Sequence, residues 1–156
     1  MQNDQEQASA TQSRTRHSAE GLMSFPTPDQ RRAIEWDCTR LVHHYANLND
    51  AAKWEAAANL FTDDGRLSRP TAPDQPIVGR EAILAAFLAR PPRTTRHVCA
   101  NVVIDILSTD EATGESAMLL FVGPGAPLVG SFKDRFIRTT GGWRFLERSG
   151  SLIFSA

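Results

Sequence analysis

The chain has 156 residues, 41% of them hydrophobic and 22% charged, and its 17 basic and 18 acidic side chains leave a formal charge of -1, the profile of one ordinary soluble domain. At this size folding buries roughly 70% of the unfolded surface, enough for one core and not two. The charge balance excludes the electrostatic footprint of a nucleic-acid binder or an anionic-membrane binder, and the longest purely apolar run, Ala82 to Ala89, is too short to span a bilayer.

Residues 1 to about 25 are mostly Gln, Ser, Thr and Ala with scattered charges, and after Met1 their only large apolar side chains are Leu22, Met23 and Phe25. Such a segment buries too little to offset its ordering entropy, so it is expected as a disordered tail ahead of a folded domain at residues 26–156. Met1 to Glu20 holds no apolar run that would serve as a secretory signal. With only two cysteines, Cys38 and Cys99, the chain is no disulfide scaffold; a reducing, cytoplasmic compartment is expected, both thiols acting as small core hydrophobes.

Order is predicted to begin at Thr27-Pro28-Asp29-Gln30, where Thr27 caps, Pro28 suits the first helical turn and Gln30 reaches back to the cap. Ile34, Cys38, Leu41, Tyr45 and Leu48 follow at helical spacing and end near Asn49-Asp50, which reads as a fresh cap. A second helix is predicted from Ala51 to about Leu60, with Trp54, Ala57, Ala58 and Phe61 on its inner side, followed by a turn at Thr62 to Gly65. A short strand at Arg66 to Arg69, a proline-rich loop from Pro70 to Val78 and a third helix at Arg80 to Arg90, halted by Pro91-Pro92, come next. The remainder reads as four long antiparallel strands: Thr94 to Leu107, Glu115 to Val122, Gly130 to Thr140 and Trp143 to Phe154. Three helices followed by such a meander predict an α+β fold, with the helices on one side of a curved sheet.

Period-two alternation puts His97, Cys99, Asn101, Val103 and Asp105 on one face of the first long strand. If the helices cover that face, Asp50 reaches His97, and a carboxylate that fixes the imidazole tautomer makes a general base or acid near neutral pH. The alternatives are that Asp50 only caps the second helix and that His97 is a satisfied core histidine. Asp134 alternates with Phe132 and Phe136, so it either pairs with a buried arginine, Arg148 or Arg144, or lines a ligand cavity. His43 and His44 diverge by about 100° on a helix and lack supporting ligand spacing, so no metal is expected. There is no Gly-rich phosphate loop and no GxSxG elbow, and no cofactor is expected.

The stretches Tyr45-Ala-Asn-Leu-Asn-Asp50 through Trp54 and Phe61 to Gly65, Val78 to Ile83, Thr95-Arg-His97-Val, and Gly130-Ser-Phe-Lys-Asp134 through Arg138 to Trp143 resemble the SnoaL-like branch of the nuclear-transport-factor-2-like superfamily, from roughly Gln30 to Phe154. The resemblance implies a cone-shaped, strongly bent antiparallel sheet of about four long strands and a short one, with helices closing an apolar pocket and a homodimer formed through the outer sheet face. It places Asp50 and His97 where scytalone-dehydratase-like members carry a catalytic Asp and His. It also shows departures: Asn49, Ser68 and Ser116 stand near the places of two pocket tyrosines and a second histidine, so dehydration of scytalone itself is not expected.

Two functions follow from these residues. In the first, a cofactor-independent lyase, isomerase or cyclase uses His97, oriented by Asp50, on a small apolar, aromatic or cyclic molecule. Tyr45, Trp54, Phe61, Cys99, Ser116, Met118, Leu120, Phe132, Asp134 and Phe136 surround that molecule, and Asn101 or Tyr45 supplies a hydrogen bond to a developing oxyanion. In the second, the protein is non-catalytic: a ligand binder, or a scaffold resembling the small subunit of ring-hydroxylating dioxygenases. The near-zero charge suits a dry pocket for a neutral or weakly polar molecule.

Overall fold

Both halves of the capping box form at Thr27: its hydroxyl accepts from the Gln30 amide at 3.3 Å, and the Gln30 side chain accepts from the Thr27 amide at 2.8 Å. In the computed structural model, which describes residues 25–154, this cap opens α1 (Pro28–Asp50), followed by α2 (Trp54–Ala58), β1 (Phe61–Arg69), β2 (Ala72–Val78), α3 (Arg80–Leu88), β3 (Arg96–Ile106), β4 (Glu111–Phe121), β5 (Leu128–Thr139) and β6 (Gly142–Leu152). The expected tail, Phe25 apart, lies outside the described residues.

The fold is α+β: one curved six-stranded sheet in the order β2-β1-β6-β5-β4-β3, antiparallel throughout except where β1 runs parallel to β6. Six strands replace the expected five. The segment read as a proline-rich loop holds β2, which forms because it is the sheet's edge, where Pro73 and Pro76 need not donate to a neighbour on both sides. Nor do Thr62 to Gly65 form a turn; they belong to β1, and a register irregularity between Phe61 and Arg66 absorbs them. The turn before β4 is tighter than expected, because Ser108 Oγ accepts the amides of Asp110 and Glu111 at 3.1 Å and the strand starts at once.

The second helix is also shorter than expected, Trp54–Ala58 rather than Ala51 to Leu60, because the chain turns through Ala52 in the left-handed region (φ 52). Asp50 is the last residue of α1 and caps nothing, and Lys53 precedes α2 without a side-chain cap.

Helix α1 packs on β3 and β6, and α3 on β1 and β2. Ile34, Cys38, Leu41 and Tyr45 meet Phe61, Phe87, Phe136 and Phe145 in a single buried cluster, the aromatic rings packed edge-on or tilted at 5.2 to 6.3 Å. Among the described residues no helix is long and apolar enough to cross a membrane.

One local feature reverses an expectation on β3. Ala100 pairs with Ala117 but Val103 pairs with Glu115, so β3 holds one extra residue there, and Asn101 takes it up at φ 51. Asn is one of the few side chains that tolerate this conformation. The bulge shifts the alternation by one: His97 and Cys99 face inward, but beyond it Val102, Ile104 and Ile106 do, while Asn101, Val103 and Asp105 are exposed.

Candidate active site

The inward face of the sheet grades from open to closed along the strands. His97, Leu120 and Leu128 form one cross-strand row, and Cys99, Met118, Gly130 and Leu152 the next. Ser116, Phe132 and Gly150 follow, then Gly114, Asp134 and Arg148, and finally Ala112, Phe136 and Phe145 in the core. His97, Leu120, Leu128, Met118 and Leu152 of the first two rows line a cavity of about 570 Å³, within the usual range for a small-molecule site. The end of α1 contributes Tyr45 and Asn49 to its wall, and α2 contributes Trp54. The β1–β2 hairpin turn overhangs it with Arg69, Pro70 and Thr71, and the α3–β3 connection borders it from Arg90 to Thr95.

His97 lines this cavity, and its Nδ1 lies 2.6 Å from Asp50 Oδ1. The same carboxylate accepts the His97 backbone amide on Oδ2 at 2.8 Å and the Thr95 hydroxyl on Oδ1 at 2.9 Å. Three donors converging on one acceptor fix Asp50, whose side chain is only 6% exposed; the His97 side chain is 16% exposed. With Nδ1 bound to the carboxylate, it is the nitrogen that carries the proton in the neutral ring, and Nε2 is left as the base. The two side chains meet because α1 runs to Asp50 and stops there, against the first residues of β3.

Next to Asp50, Asn49 is buried and held at both ends. Its Nδ2 donates to the Tyr45 carbonyl at 2.9 Å, and its Oδ1 accepts from Arg90 Nη1 at 2.7 Å. The Arg90 guanidinium lies 4.3 Å above the Phe87 ring centre and 5.4 Å from that of Trp54. Burial pulls its pKa below the usual arginine value, the neighbouring Tyr45 phenol opposing this.

Below the cavity, Arg148 Nη1 donates to Asp134 Oδ2 at 2.6 Å, with side chains 0% and 1% exposed. The guanidinium lies 3.9 Å from the centre of the Phe132 ring, 4.7 Å from Tyr45 and 4.9 Å from Phe145. Asp134 Oδ1, Arg148 Nε and Nη2 and the neighbouring Ser116 Oγ have no hydrogen-bond partner among the described residues. Burial raises the Asp134 pKa from 3.8 to about 6 despite the Arg148 charge, which pulls it the other way.

Of the residues singled out in the sequence, Tyr45, Trp54, Met118, Leu120 and Phe132 share the cavity wall with His97. The others do not line it. Phe61 and Phe136 are core, Cys99 packs against the core cluster, and Ser116 and Asp134 are buried below, Asp134 as the partner of Arg148. Asn101 is exposed at the bulge and is no oxyanion donor to this cavity. His43 and His44 are exposed on α1, and no group of three or more potential metal-binding side chains occurs among the described residues. Sequence reading missed Arg69, Arg90 and Arg93 on the wall, and Thr95 as a donor to Asp50; only the Thr95-Arg-His97 spacing hinted at the last.

The model of one family, described as a SnoaL-like domain, matches residues 30–149. No curated protein matches the chain. Among solved structures it is similar to a candidate scytalone dehydratase from Novosphingobium aromaticivorans, at 24% identity and a TM-score of 0.72 over 82% of this chain and 89% of that one. It is also similar to an NTF2-like protein with a cystatin-like fold from the same organism (21% identity, TM-score 0.73, 81% and 86% covered). A type 2 hexachlorocyclohexane dehydrochlorinase aligns at 18% identity with a TM-score of 0.71 over 82% and 90%. At these identities the likeness is one of fold.

Proposed function

The chain belongs to the SnoaL-like domain family, and on that premise we propose that it is a small-molecule enzyme of lyase, isomerase or cyclase type in which His97, held by Asp50, moves a proton on a molecule in the cavity. The observation that carries this reading is the 2.6 Å contact between Asp50 Oδ1 and His97 Nδ1 on a cavity wall, with the other imidazole nitrogen free to act. In an elimination, Nε2 takes a proton from the carbon next to a carbonyl and the C–H electron pair becomes the new double bond. The departing hydroxide takes the proton back from the imidazolium and leaves as water. Asp50 stabilises the imidazolium in between, and Tyr45 on the same wall is a candidate donor to a developing enolate oxygen. Isomerisation and cyclisation use the same base and the same returned proton.

A scaffold has no need of a cavity of about 570 Å³, and the bulky Phe132 and Trp54 stand on its wall and leave it open. The test is turnover and solvent-deuterium uptake by a panel of enolisable ketones and β-hydroxy ketones, followed by NMR. Asp50→Asn and His97→Ala should each slow exchange by about 10²- to 10⁴-fold, and a His97→Ala protein as fast as the parent would remove the base from the mechanism. The reading includes a homodimer through the outer sheet face, which the 44% and 58% exposure of Val98 and Val103 on β3 supports. Light scattering should then give twice the chain mass of 17.2 kDa; a mass of one chain refutes it.

A further inference from the structure

Among the described residues the cavity wall carries three arginines and no aspartate or glutamate. Arg69 stands where β1 enters its hairpin turn, and Arg90 and Arg93 belong to the connection between α3 and β3, so two separate rims of the cavity deliver positive charge to one space. Arg69 and Arg93 are exposed at the mouth, while Arg90 is half-buried. None of the three pairs with a carboxylate among the described residues, whereas Arg32, Arg80 and Arg148 all do. The chain as a whole is nearly neutral, so this is a local concentration and not a basic surface.

Convergence of like charges is unfavourable, and here it is felt: besides burial, the charges of Arg93 and Arg69 push the Arg90 pKa down. Arg90 is nevertheless held in place, by its bond to Asn49 and by the ring faces of Phe87 and Trp54. That anchor orients a planar donor group beside the end of α1, one residue from Asp50. Guanidinium groups fixed in this way bind carboxylate or phosphate oxygens through paired charge-assisted hydrogen bonds. Across the cavity the wall is apolar, built from Met118, Leu120, Leu128, Phe132 and Leu152.

We infer that the cavity binds an amphipathic anion, its carboxylate or phosphate-ester group held among Arg69, Arg90 and Arg93 and its apolar ring body on the Met118–Phe132 wall. This replaces the neutral molecule that the near-zero net charge suggested. It deepens the acid–base reading of the same cavity, and rests on it only in treating this space as the substrate site.

The experiment is isothermal titration calorimetry of the full chain with 2-naphthoate, 2-naphthyl phosphate and the neutral 2-naphthamide. At least one of the two anions should bind about tenfold or more tightly than the amide, with an advantage that shrinks on raising the salt. The preferred anion identifies the carboxylate or the phosphate ester as the recognised group. Arg90→Gln should remove most of that advantage; Arg93→Gln, at an exposed position, should reduce it by about three- to tenfold. His97→Ala should keep the preference intact, so loss of proton transfer with retained anion selectivity separates failure of the catalytic reading from failure of this one. Equal affinity for anion and amide, no binding of any probe at about 5 mM, or a preference that survives replacement of all three arginines by glutamine would overturn the inference.

Discussion

Replacing Arg148 by Met should destabilise the protein severely, whereas replacing Arg148 and Asp134 together, by Met and Leu, should not. The pair is sealed from solvent, with side chains 0% and 1% exposed, and makes one hydrogen bond while three of its polar atoms find no partner among the described residues. Attraction between the charges is therefore set against an incompletely compensated desolvation. Removing the cation alone strands the Asp134 carboxylate out of reach of solvent, at a cost of about 3–5 kcal/mol, or roughly 10–20 °C in melting temperature for a domain of this size. Removing both should be neutral or stabilising by about 1–4 kcal/mol. Urea unfolding followed by circular dichroism reads both values.

The same pair should give the parent a pH dependence whose sign follows from the burial of Asp134. The folded protein holds the Asp134 proton more tightly than the unfolded chain, since burial raises its pKa from 3.8 to about 6. The contribution is fully present below the unfolded value and is lost as pH rises through about 6, on the order of 3 kcal/mol across that window. The double variant should lack this component. If it is as unstable as Arg148→Met alone, or if its stability falls between pH 4 and pH 6 as steeply as the parent's, the balance of charge and desolvation argued here is wrong.

Two further outcomes follow from packing. A Cβ at Gly150 would lie 2.6 Å from Pro70 Cδ and Cγ and 2.8 Å from Phe132 Cε1, so Gly150→Ala should cost about 1–3 kcal/mol in thermal unfolding by forcing apart the hairpin turn and the cavity floor; an unchanged melting temperature would mean that the turn yields freely. Cys38 is fully buried and burial pushes its thiol up to about 12, and burial raises the half-buried Cys99 as well. Ellman's reagent at pH 8 should therefore label neither cysteine quickly in the native protein and both on denaturation; rapid native labelling of Cys38 would contradict its place in the core.

Much of the fold was legible because it rests on local signals. The capping box at Thr27, the stripe from Ile34 to Leu48 and the Pro91-Pro92 stop each act within a few residues, and α1 and α3 appear where these put them, to within two residues. What escaped depends on position in the sheet. Pro73 and Pro76 argue against a strand until it is known that their strand is an edge, and edge status is set by β1 and β6, not by the segment itself. Likewise, strict alternation beyond Ala100 sends Asn101 into the pocket, and one residue of bulge sends it out. No neighbouring residue announces that bulge, apart from the fitness of Asn for a positive φ.

The candidate site divides along the same line. Asp50 and His97 sit at recognisable landmarks, a helix end and the start of a β-branched strand, which left the dyad and the cap as open alternatives; the resemblance to scytalone-dehydratase-like members favoured the dyad, and the 2.6 Å contact brings the two side chains together. The arginines had no such landmark. Arg69 reads as the end of a short strand, Arg90 as the last turn of a helix and Arg93 as a loop residue, and along the chain nothing distinguishes them from the solvated arginines around them. Their meaning arises only when the hairpin turn and the α3–β3 connection close over the same 570 Å³. Under the proposed anion site, net charge is a poor guide to ligand chemistry. A sum over the chain says how the molecule behaves at long range, whereas a ligand meets the few groups on the wall it touches, and on this wall every formal charge among the arginines has the same sign.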